Sequence, residues 1–437
     1  MSSKLSRLDF LRFSALGASA LILPRSVSAA MAPKKAKKGD VNDQINIGFI
    51  GLGQQAIYLM SGFITIPNVR IVAGCDVYDI KRDRFQSRVN KYYADNGIKN
   101  KLDMYIRYEE VLAREDIDAV VIATPDHQHA IIAIAACRAG KDVYLEKPLT
   151  FTIYEGQQLV KAVRENNRIL QVGSMQRSMA EFIHAANVVR EGRLGKVSLM
   201  KAHVGDGPKP YDLPAQEVPA GLDWDLWLGP LADTWHYNHE LNPLILENGG
   251  DECWGAWRWY KGLGGGYTTD WGAHMFDIGQ WAIGKDGSGP VEILPPSCSP
   301  YECLTYRYDN GIEMTQQQFD GGKQGIKIYG ENGWIQVCRG EFLASSPEFM
   351  PSDVDKKAMY ETNVPHYQSF IDGVRTRRDP NVPVEIGHSS CTVCNLGNIA
   401  YDLDRPLHWN PIVQKFMNDP EAEKHMHYEY RKPYTLG

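Results

Sequence analysis

A short glycine-containing stretch constrains the fold of this chain more than any other feature. Gly51, Gly53 and Ala56 form the pattern GxGxxA, directly after the apolar run Ile45–Ile50 and at the start of a presumed helix. In this pattern the first glycine makes a tight turn, the second lets the backbone approach a pyrophosphate, and the small third residue lets the helix pack closely on the sheet. The free N–H groups at the helix N-terminus attract phosphate. The loop residues expected to bind a dinucleotide are Gly48, Gly51, Gly53, Gln54 and Gln55.

An acidic residue after the next strand indicates which dinucleotide is bound. Asp76 ends the strand predicted over Val69–Cys75, twenty residues after Ala56. A carboxylate at this place accepts hydrogen bonds from the adenosine ribose hydroxyls and repels a 2′-phosphate, so Asp76 favours NAD over NADP. Arg82 and Arg84 follow, and we expect them to face solvent on the next helix. The alternative is a flavodoxin-like sheet whose glycines only turn the chain, and Asp76 argues against it.

Strand and helix patterns alternate through the first part of the chain. This alternation predicts right-handed crossovers and a parallel sheet covered on both faces, which is a Rossmann domain over residues 45–172. The predicted strands are Ile45–Ile50, Val69–Cys75, Ala119–Ala123, Val143–Leu145 and Ile169–Val172, and the predicted helices include Asp83–Tyr93, His127–Ala139 and Met179–Glu191.

From Val197 onward the pattern becomes that of an antiparallel sheet. Asn310-Gly311 and Asn332-Gly333 each separate two alternating runs, and Asn-Gly is a strong hairpin signal because both residues tolerate positive φ. The predicted fold class is therefore α/β, with an N-terminal Rossmann domain on a parallel sheet and then an α+β domain with a largely antiparallel open sheet. We place this second domain at residues 173–405 and a C-terminal tail at residues 406–437.

The first residues resemble an export signal. A basic start is followed by a short apolar run over residues 13–24 and by small residues at 27–30, so we predict a signal peptide over residues 1–30 and a linker over 31–44. The apolar run is too short for a permanent membrane span. Residues 6–12 resemble the twin-arginine motif, but Leu8 stands where the second arginine should be. We therefore expect an exported, periplasmic protein with the export route open, or a cytoplasmic one if the leader does not function.

Charge and cysteine usage exclude two classes of partner. The formal net charge of −6 offers no basic face to a nucleic acid. Cys391-Thr-Val-Cys394 is half of a zinc-site pattern, but no second CxxC pair completes it, and it lies in an apolar run typical of a helix. We therefore predict neither nucleic-acid binding nor a metal site.

Two further motifs follow predicted strands. Thr124-Pro125 with His129 follows one strand, and Glu146-Lys147-Pro148 follows the next. In an open parallel sheet ligands bind at the carboxyl edge, where these motifs lie. A lysine near a bound nicotinamide can hydrogen-bond a substrate hydroxyl and stabilise developing alkoxide charge.

Together with Gly264–His274, these motifs resemble those of the Gfo/Idh/MocA oxidoreductases, the family of glucose-fructose oxidoreductase and inositol dehydrogenase. The resemblance covers Ile45 to Leu403. It implies NAD(P)-dependent redox chemistry at a carbohydrate carbinol and a second domain whose open sheet often serves in homo-oligomerisation. It implies catalytic roles for Lys147, Asp270 and His274. It places Thr124, Pro125, His129, Glu146, Lys147 and Gln176 beside the cofactor, and Arg177, Asp270 and His274 beside the substrate. Many relatives have a second histidine after His274, where this chain has Met275.

The spacing of Asp270 and His274 predicts that their side chains lie side by side. At i, i+4 on a helix the two side chains share one face, and a carboxylate beside an imidazole orients it and raises its pKa. The alternative is that His274 packs in a core helix.

The chain has ten tryptophans, seven of them between Trp224 and Trp271. Indole faces stack on sugar C–H surfaces, and Arg258 can bond hydroxyl groups. Packing explains most of these tryptophans, and we expect a minority to touch substrate.

Three functions remain open. The first is a sugar or polyol dehydrogenase that uses NAD. Because free NAD is not regenerated outside the cytoplasm, export would require a tightly bound dinucleotide that cycles between substrates. The second is a redox-neutral glycosidase or lyase that acts through a transient keto-sugar. The third is a dinucleotide-binding sensor, against which the joint presence of Lys147, Asp270 and His274 argues.

Overall fold

The structure is a computed structural model that describes residues 44–243, 254–351 and 364–436. The predicted signal peptide and the linker up to residue 43 lie outside the described residues. Within the described ranges we find no helix whose length and apolar character would let it traverse a bilayer.

The first sheet has six strands, all parallel, in the spatial order β3-β2-β1-β4-β5-β6. This is the order of a Rossmann fold. The sequence-based prediction is confirmed for five strands, and the short, half-buried β3 was not predicted. The strands are β1 (Ile45–Ile50), β2 (Val69–Cys75), β3 (Asp103–Tyr105), β4 (Ala119–Ile122), β5 (Asp142–Leu145) and β6 (Leu170–Val172).

Helices lie between consecutive strands in the chain, as the crossover connections of a parallel sheet require. Apolar residues of α1 and α2 pack on one face of the sheet, whereas α3, α4 and α5 pack on the other. A capping box begins α5, because the Thr152 hydroxyl accepts from the Glu155 N–H and the Glu155 carboxylate accepts from the Thr152 N–H. The helices are α1 (Gln54–Phe63), α2 (Asp79–Asp95), α3 (Tyr108–Leu112), α4 (Asp126–Arg138) and α5 (Ile153–Glu165).

The second sheet has nine strands in the order β13-β12-β11-β7-β10-β9-β8-β14-β15. Only β7 and β10 pair in parallel, so the sheet is largely antiparallel as predicted. Both Asn-Gly turns lie in the predicted hairpins, between β9 and β10 and between β11 and β12. The strands are β7 (Val197–His203), β8 (Glu292–Leu294), β9 (Thr305–Arg307), β10 (Glu313–Gln316), β11 (Gly325–Gly330), β12 (Gly333–Cys338), β13 (Glu341–Ala344), β14 (Leu407–Asn410) and β15 (Lys415–Phe416).

One face of this sheet is covered by helices, and apolar side chains from α6, α9 and α11 form its core. The CxxC pair lies on α11 as expected, with both cysteines buried. The helices are α6 (Ala180–Arg190), α7 (Trp224–Leu228), α8 (Gly266–Asp270), α9 (Gly272–Ala282), α10 (Val364–Thr376), α11 (Val384–Leu403) and α12 (Pro420–Glu423). Short 3₁₀ turns cover Met175–Ser178, Ala256–Trp259, Pro296–Cys298, Pro347–Phe349 and Lys424–Met426.

The two predicted domains are interleaved rather than consecutive. Helix α10 returns to the first sheet, where Tyr367 stacks on Phe63 of α1 with ring centroids 4.8 Å apart and Phe370 packs in the same cluster. Val384 and Cys391 of α11 join the cluster on the opposite face. The predicted Rossmann domain ends at residue 172, where β6 ends, but side chains from beyond residue 363 complete its core.

The expectation of a separate C-terminal tail over residues 406–437 is wrong. Strand β14 pairs with β8 inside the second sheet, and the completely buried Trp409 belongs to its core. The last residues return to the first sheet, where Tyr430, Tyr434 and Leu436 pack against its apolar cluster.

Candidate active site

A cavity of about 930 Å³ lies at the carboxyl edge of the first sheet. Residues that follow β1, β2, β3, β4 and β5 line it, as do side chains from the second domain. Parallel α/β sheets bind their ligands at this edge. Most of the site residues expected from the sequence therefore converge on one space. Gly48, Gln176 and Arg177 are not among the described residues that line it.

The glycine loop forms one wall of the cavity. Gly51 has φ +81°, and a Cβ there would lie 2.7 Å from the backbone of Ala123 and Thr124, so only glycine fits. At Gly53, the N-cap of α1, an added Cβ would meet no described atom within 4 Å, so the backbone faces open space. Gly48 lies inside β1, where a Cβ would be 2.7 Å from Val111. Gly48 therefore has a packing role and does not make the cofactor contact that the sequence analysis expects.

Asp76 lies at the end of β2 with its carboxylate oriented by the backbone. Oδ2 accepts from the Leu52 N–H at 2.7 Å and Oδ1 from the Tyr78 N–H at 2.9 Å. Each oxygen keeps a second lone pair for a ligand hydroxyl. The expectation that Arg82 and Arg84 face solvent is wrong. Arg82 donates to the Asp76 carbonyl at 2.6 Å and Arg84 to the Leu52 carbonyl at 3.1 Å, which places two cations beside this position.

The loop after β4 is tied to the loop after β5 by His129. Its Nδ1 lies 2.8 Å from the Pro148 carbonyl oxygen and its Nε2 lies 3.0 Å from that of Thr124. Burial lowers the pKa of His129 to about 4, so the ring is neutral and donates a hydrogen bond from only one of these two nitrogens. Thr124 and Pro125 line the cavity, and the buried Thr124 hydroxyl has no hydrogen-bond partner among the described residues.

Lys147 and Asp270 form the charged centre of the cavity. Lys147 Nζ donates to Asp270 Oδ1 at 2.8 Å and to the Asp270 carbonyl at 2.9 Å. Burial alone would raise the pKa of Asp270, but Lys147 and Arg258 together lower it, so the carboxyl is ionised. Behind this pair Glu146 accepts from Gln55 Nε2 at 2.9 Å, which links the loop after β5 to the glycine loop.

Asp270 and His274 both line the cavity, but they do not pair as the i, i+4 spacing predicts. Helix α8 ends at Asp270 and α9 begins at Gly272, so the helical register breaks between them. Asp270 turns to Lys147, whereas His274 Nε2 lies 3.2 Å from Arg339 Nη2. Burial lowers the pKa of His274, and the positive charges of Lys147 and Arg339 lower it further. The expected rise in the pKa of His274 is therefore wrong, and the imidazole is neutral.

Gln176 supports His274 from behind. With its amide oxygen turned towards Arg339, that oxygen accepts from Nε at 3.0 Å and Nη2 at 2.8 Å. Arg339 is a donor only, so His274 accepts at Nε2. In the same orientation the Gln176 amide nitrogen lies 2.6 Å from His274 Nδ1, so the amide contacts both the arginine and the imidazole. Gln176 thus orients a cavity residue rather than lining the cavity itself.

Arg177 does not reach the cavity, which corrects its expected substrate-binding role. Its side chain is 3% exposed and bonds Asp277 through Nε and Nη2, each at 2.8 Å. Nη2 also reaches Asp286 Oδ1 at 2.6 Å, and the guanidinium lies over the ring of Trp281. These contacts make Arg177 a structural link between α9 and the residues that follow it.

Tryptophan side chains form the wall opposite the sheet. The guanidinium of Arg258 lies between 4.9 and 5.7 Å from the ring centroids of three of them, Trp254, Trp257 and Trp259. Its Nε is 3.8 Å from Asp270 Oδ1. Aromatic faces beside charged hydrogen-bonding groups suit a polyhydroxylated ligand. The tryptophans that line the cavity are Trp227, Trp254, Trp257, Trp259 and Trp271.

The structure adds cavity residues that the sequence analysis missed. Asp126 is 5% exposed, and its pKa is raised to about 8, first by burial and then by Asp270. The sequence signal that could have identified Asp126 as a cavity residue is its position directly after Pro125. Arg339 and Tyr434 come from the β12–β13 turn and the end of the chain, and no local pattern marks them. Among the described residues, no three His, Cys, Asp or Glu side chains are grouped to hold a metal ion.

The fold and the cavity define an oxidoreductase with a dinucleotide-binding Rossmann layer. Residues 45–174 match the family profile described as "Oxidoreductase family, NAD-binding Rossmann fold". Residues 207–436 match the profile described as "Oxidoreductase family, C-terminal alpha/beta domain". The chain therefore belongs to the Gfo/Idh/MocA family of oxidoreductases, and its first domain binds NAD.

Part of this chain is similar in sequence to curated proteins. It is 31% identical over 206 residues to "Glycosyl hydrolase family 109 protein 2" of Shewanella sp. (strain ANA-3), covering 45% of each protein. It is 28% identical over 173 residues to "Glycosyl hydrolase family 109 protein" of Shewanella sp. (strain W3-18-1), covering 40% of this chain and 36% of that protein. The matched part thus spans less than half the length of these relatives.

Solved structures share the fold over most of the chain. The scyllo-inositol dehydrogenase from Lactobacillus casei, solved with NAD(H) and scyllo-inositol, is 16% identical with a TM-score of 0.55, covering 84% of this chain and 99% of that one. The WlbA dehydrogenase from Bordetella pertussis, solved with NADH and UDP-GlcNAcA, is 17% identical with a TM-score of 0.58, covering 84% and 98%. At these identities the likeness shows the fold alone.

The residues of the cavity fit NAD. The open space at Gly53 admits a pyrophosphate, the remaining lone pairs of Asp76 match ribose hydroxyls, and the unpartnered Thr124 hydroxyl can bond a bound group. NAD would occupy the open space and would hydrogen-bond to the polar groups.

Proposed function

We propose that the protein transfers a hydride between a carbinol carbon of a sugar or polyol and NAD. The observation that carries this proposal is the Lys147–Asp270 ion pair, with its 2.8 Å contact, in the same cavity as the glycine loop. A carbinol can give up a hydride only as its O–H proton leaves. A charged, hydrogen-bonded pair beside the cofactor loop meets this need.

In this proposal Lys147 binds the substrate oxygen and stabilises the negative charge that develops on it. Asp270 holds the ammonium in position, because its ionised carboxylate accepts from Nζ. The proton of the reacting hydroxyl passes to neutral His274, whose Nε2 exchanges its contact with Arg339 for one with that hydroxyl. Arg258, whose guanidinium lies over indole rings, binds another hydroxyl.

NAD, when bound, accepts or returns the hydride. Gly51, Gly53 and Gln54 would hold its pyrophosphate, and Asp76 would hold the adenosine ribose. Gln55, Thr124, Pro125 and Glu146 would lie beside its nicotinamide half. The His129 bridge keeps the two loops in place around it.

A second candidate is a redox-neutral glycosidase or lyase, in which transient oxidation of a sugar carbon labilises a neighbouring bond. The match to proteins named glycosyl hydrolase family 109 favours it. The same groups would act, and the hydride would return to the product.

One set of assays tests both candidates. The purified protein is incubated with NAD⁺ and either free sugars and polyols or aryl glycosides, and NADH and released aglycone are followed separately. Net NADH from a free sugar supports the dehydrogenase, and aglycone release without net NADH supports the glycosidase. The Lys147→Met variant should lose either activity by a factor of about 10² to 10⁴. The matched control is Lys161→Met, whose side chain is 64% exposed on α5. Turnover of Lys147→Met equal to that of wild type would refute the role of Lys147, whereas no turnover by either protein would favour the sensor hypothesis.

We also propose that the protein is exported to the periplasm, forms a homo-oligomer and keeps its dinucleotide tightly bound. Tight retention follows from export, because a periplasmic enzyme must reuse one NAD molecule. Heat-denaturing freshly purified protein and analysing the released nucleotide tests retention. Stoichiometric NAD(H) is expected, and a nucleotide-free protein with weak affinity would contradict it.

A further inference from the structure

The end of the chain lies over the dinucleotide cavity. Residues 428–436, here called the C-terminal segment, return from the second sheet to the first. Tyr434 lines the cavity together with Ile106, Arg107, Tyr108 and Glu109. These four residues directly follow β3, which pairs with β2, and β2 leads into Asp76. Tyr434 therefore faces the part of the cavity beyond the ribose-binding carboxylate.

The C-terminal segment is held by specific contacts at two points. Tyr430 Oη donates to the buried Glu155 carboxylate at 2.5 Å. Arg431 donates to the Gly229 carbonyl through Nε at 2.7 Å and to Asp225 Oδ1 through Nη1 at 2.5 Å. These are charge-assisted bonds to side chains and backbone far away in the sequence.

Arg431 also positions Tyr434. The Tyr434 N–H donates to the Arg431 carbonyl at 3.0 Å, which closes a turn. The Arg431 guanidinium lies 5.4 Å from the centre of the Tyr434 ring. An aromatic ring held in this way presents a fixed apolar face to a flat ligand.

We propose that the C-terminal segment is part of the NAD site, with Tyr434 forming the outer wall of an adenine pocket opposite Ile106 and Tyr108. A dinucleotide whose adenosine ribose bonds Asp76 extends its adenine towards β3, since β3 is the next strand at that edge. Docking of the segment and binding of adenosine then stabilise each other. Arg431 is a positioning residue in this arrangement, because it acts through Tyr434.

This inference rests on dinucleotide binding and not on the proposed reaction, so binding assays test it by themselves. The probes are ADP-ribose, which carries the adenosine half, and nicotinamide mononucleotide, which does not. Tyr434→Ala and Arg431→Ala should each weaken ADP-ribose binding about tenfold, and the double variant should be little worse than either. Tyr434→Phe should bind ADP-ribose within about twofold of wild type. The matched control is Tyr92→Ala, a half-buried tyrosine on α2 outside the described cavity lining.

Hydrogen–deuterium exchange supplies the reciprocal test. ADP-ribose should slow amide exchange in residues 428–436 of the wild-type protein, whereas nicotinamide mononucleotide should leave it unchanged. Unchanged affinity in Tyr434→Ala, together with exchange that ADP-ribose does not slow, would overturn the inference. If wild type turns over substrate but Tyr434→Ala binds ADP-ribose as tightly as wild type, the adenine wall is refuted and the proposed reaction is not. If Tyr434→Ala binds ADP-ribose more weakly but no form of the protein turns over substrate, the proposed reaction is refuted and the adenine wall is not.

Discussion

The two glycines of the cofactor loop should separate folding from binding when each is changed to alanine. At Gly53 the backbone is extended, with φ −68° and ψ −166°, and a methyl group would meet no described atom within 4 Å. Alanine is a poorer N-cap than glycine by roughly 0.5–1 kcal/mol. Gly→Ala also restricts the unfolded chain, which stabilises by roughly 0.4–1 kcal/mol. These effects offset each other, so the free energy of unfolding of Gly53→Ala should match that of wild type.

The affinity of Gly53→Ala for NAD⁺, in contrast, should be lower than that of wild type. The new methyl group would occupy the space that the pyrophosphate needs, and strain of this kind costs about 1–3 kcal/mol, or roughly a 5- to 150-fold rise in Kd for NAD⁺. Gly51→Ala is the contrasting variant. A positive φ costs about 1–2 kcal/mol for alanine, and the contact with the Ala123–Thr124 backbone adds about 1–3 kcal/mol, so this variant should lose stability even without ligand.

Urea denaturation without nucleotide and calorimetric titration with NAD⁺ measure the two quantities independently. Wild-type affinity of Gly53→Ala for NAD⁺ would refute the expected place of the pyrophosphate at Gly53. A loss of stability in Gly53→Ala as large as that in Gly51→Ala would show that protein fills the space around Gly53.

Three further predictions concern charge. Asp76→Asn should bind NADP⁺ about tenfold more tightly than wild type, because the repulsion of the 2′-phosphate is removed, and an unchanged Kd would contradict this role. Asp270→Asn should lower kcat by a factor of about 10² while leaving the Kd for NAD⁺ within about twofold, because it releases Lys147 without touching the glycine loop. A parallel loss of NAD⁺ affinity would show that Asp270 supports the cofactor instead. Burial lowers the pKa of His366 to about 4, so its contribution to stability is complete above pH 6.5 and is lost as the pH falls towards 4. Its size is about 3 kcal/mol. His366→Gln should therefore flatten the acid limb of a stability–pH curve, whereas His408→Gln, at a side chain 59% exposed, should leave that limb unchanged.

Local sequence patterns were sufficient for the elements of the first sheet and for the cofactor loop. Strands such as β1 and β2 are continuous apolar runs bounded by turn residues, and their predicted ends agree with the structure. The Asn-Gly hairpins were predictable for the same reason, since a two-residue turn depends on its own residues.

The contacts within the site were harder to predict, because they depend on distant parts of the chain. The i, i+4 spacing of Asp270 and His274 brings the two side chains together only on one continuous helix. The register breaks at Trp271, and Asp270 pairs with Lys147 from the loop after β5. Arg177 was assigned by its place in a motif, and only the fold shows Asp277 beside it. Tyr434 has no local signal at all.

Helix α10 also has a consequence for synthesis of the protein. The first sheet leaves the ribosome early, but Phe63 and Tyr144 face a cluster completed by Tyr367 and Phe370. Until residue 370 has been made, this aromatic face lacks two of the side chains that cover it, and exposed apolar surface promotes aggregation. A nascent chain stalled in the second domain should therefore be a chaperone substrate, even though its nucleotide loop is already complete. A fragment truncated after residue 172 should be insoluble for the same reason.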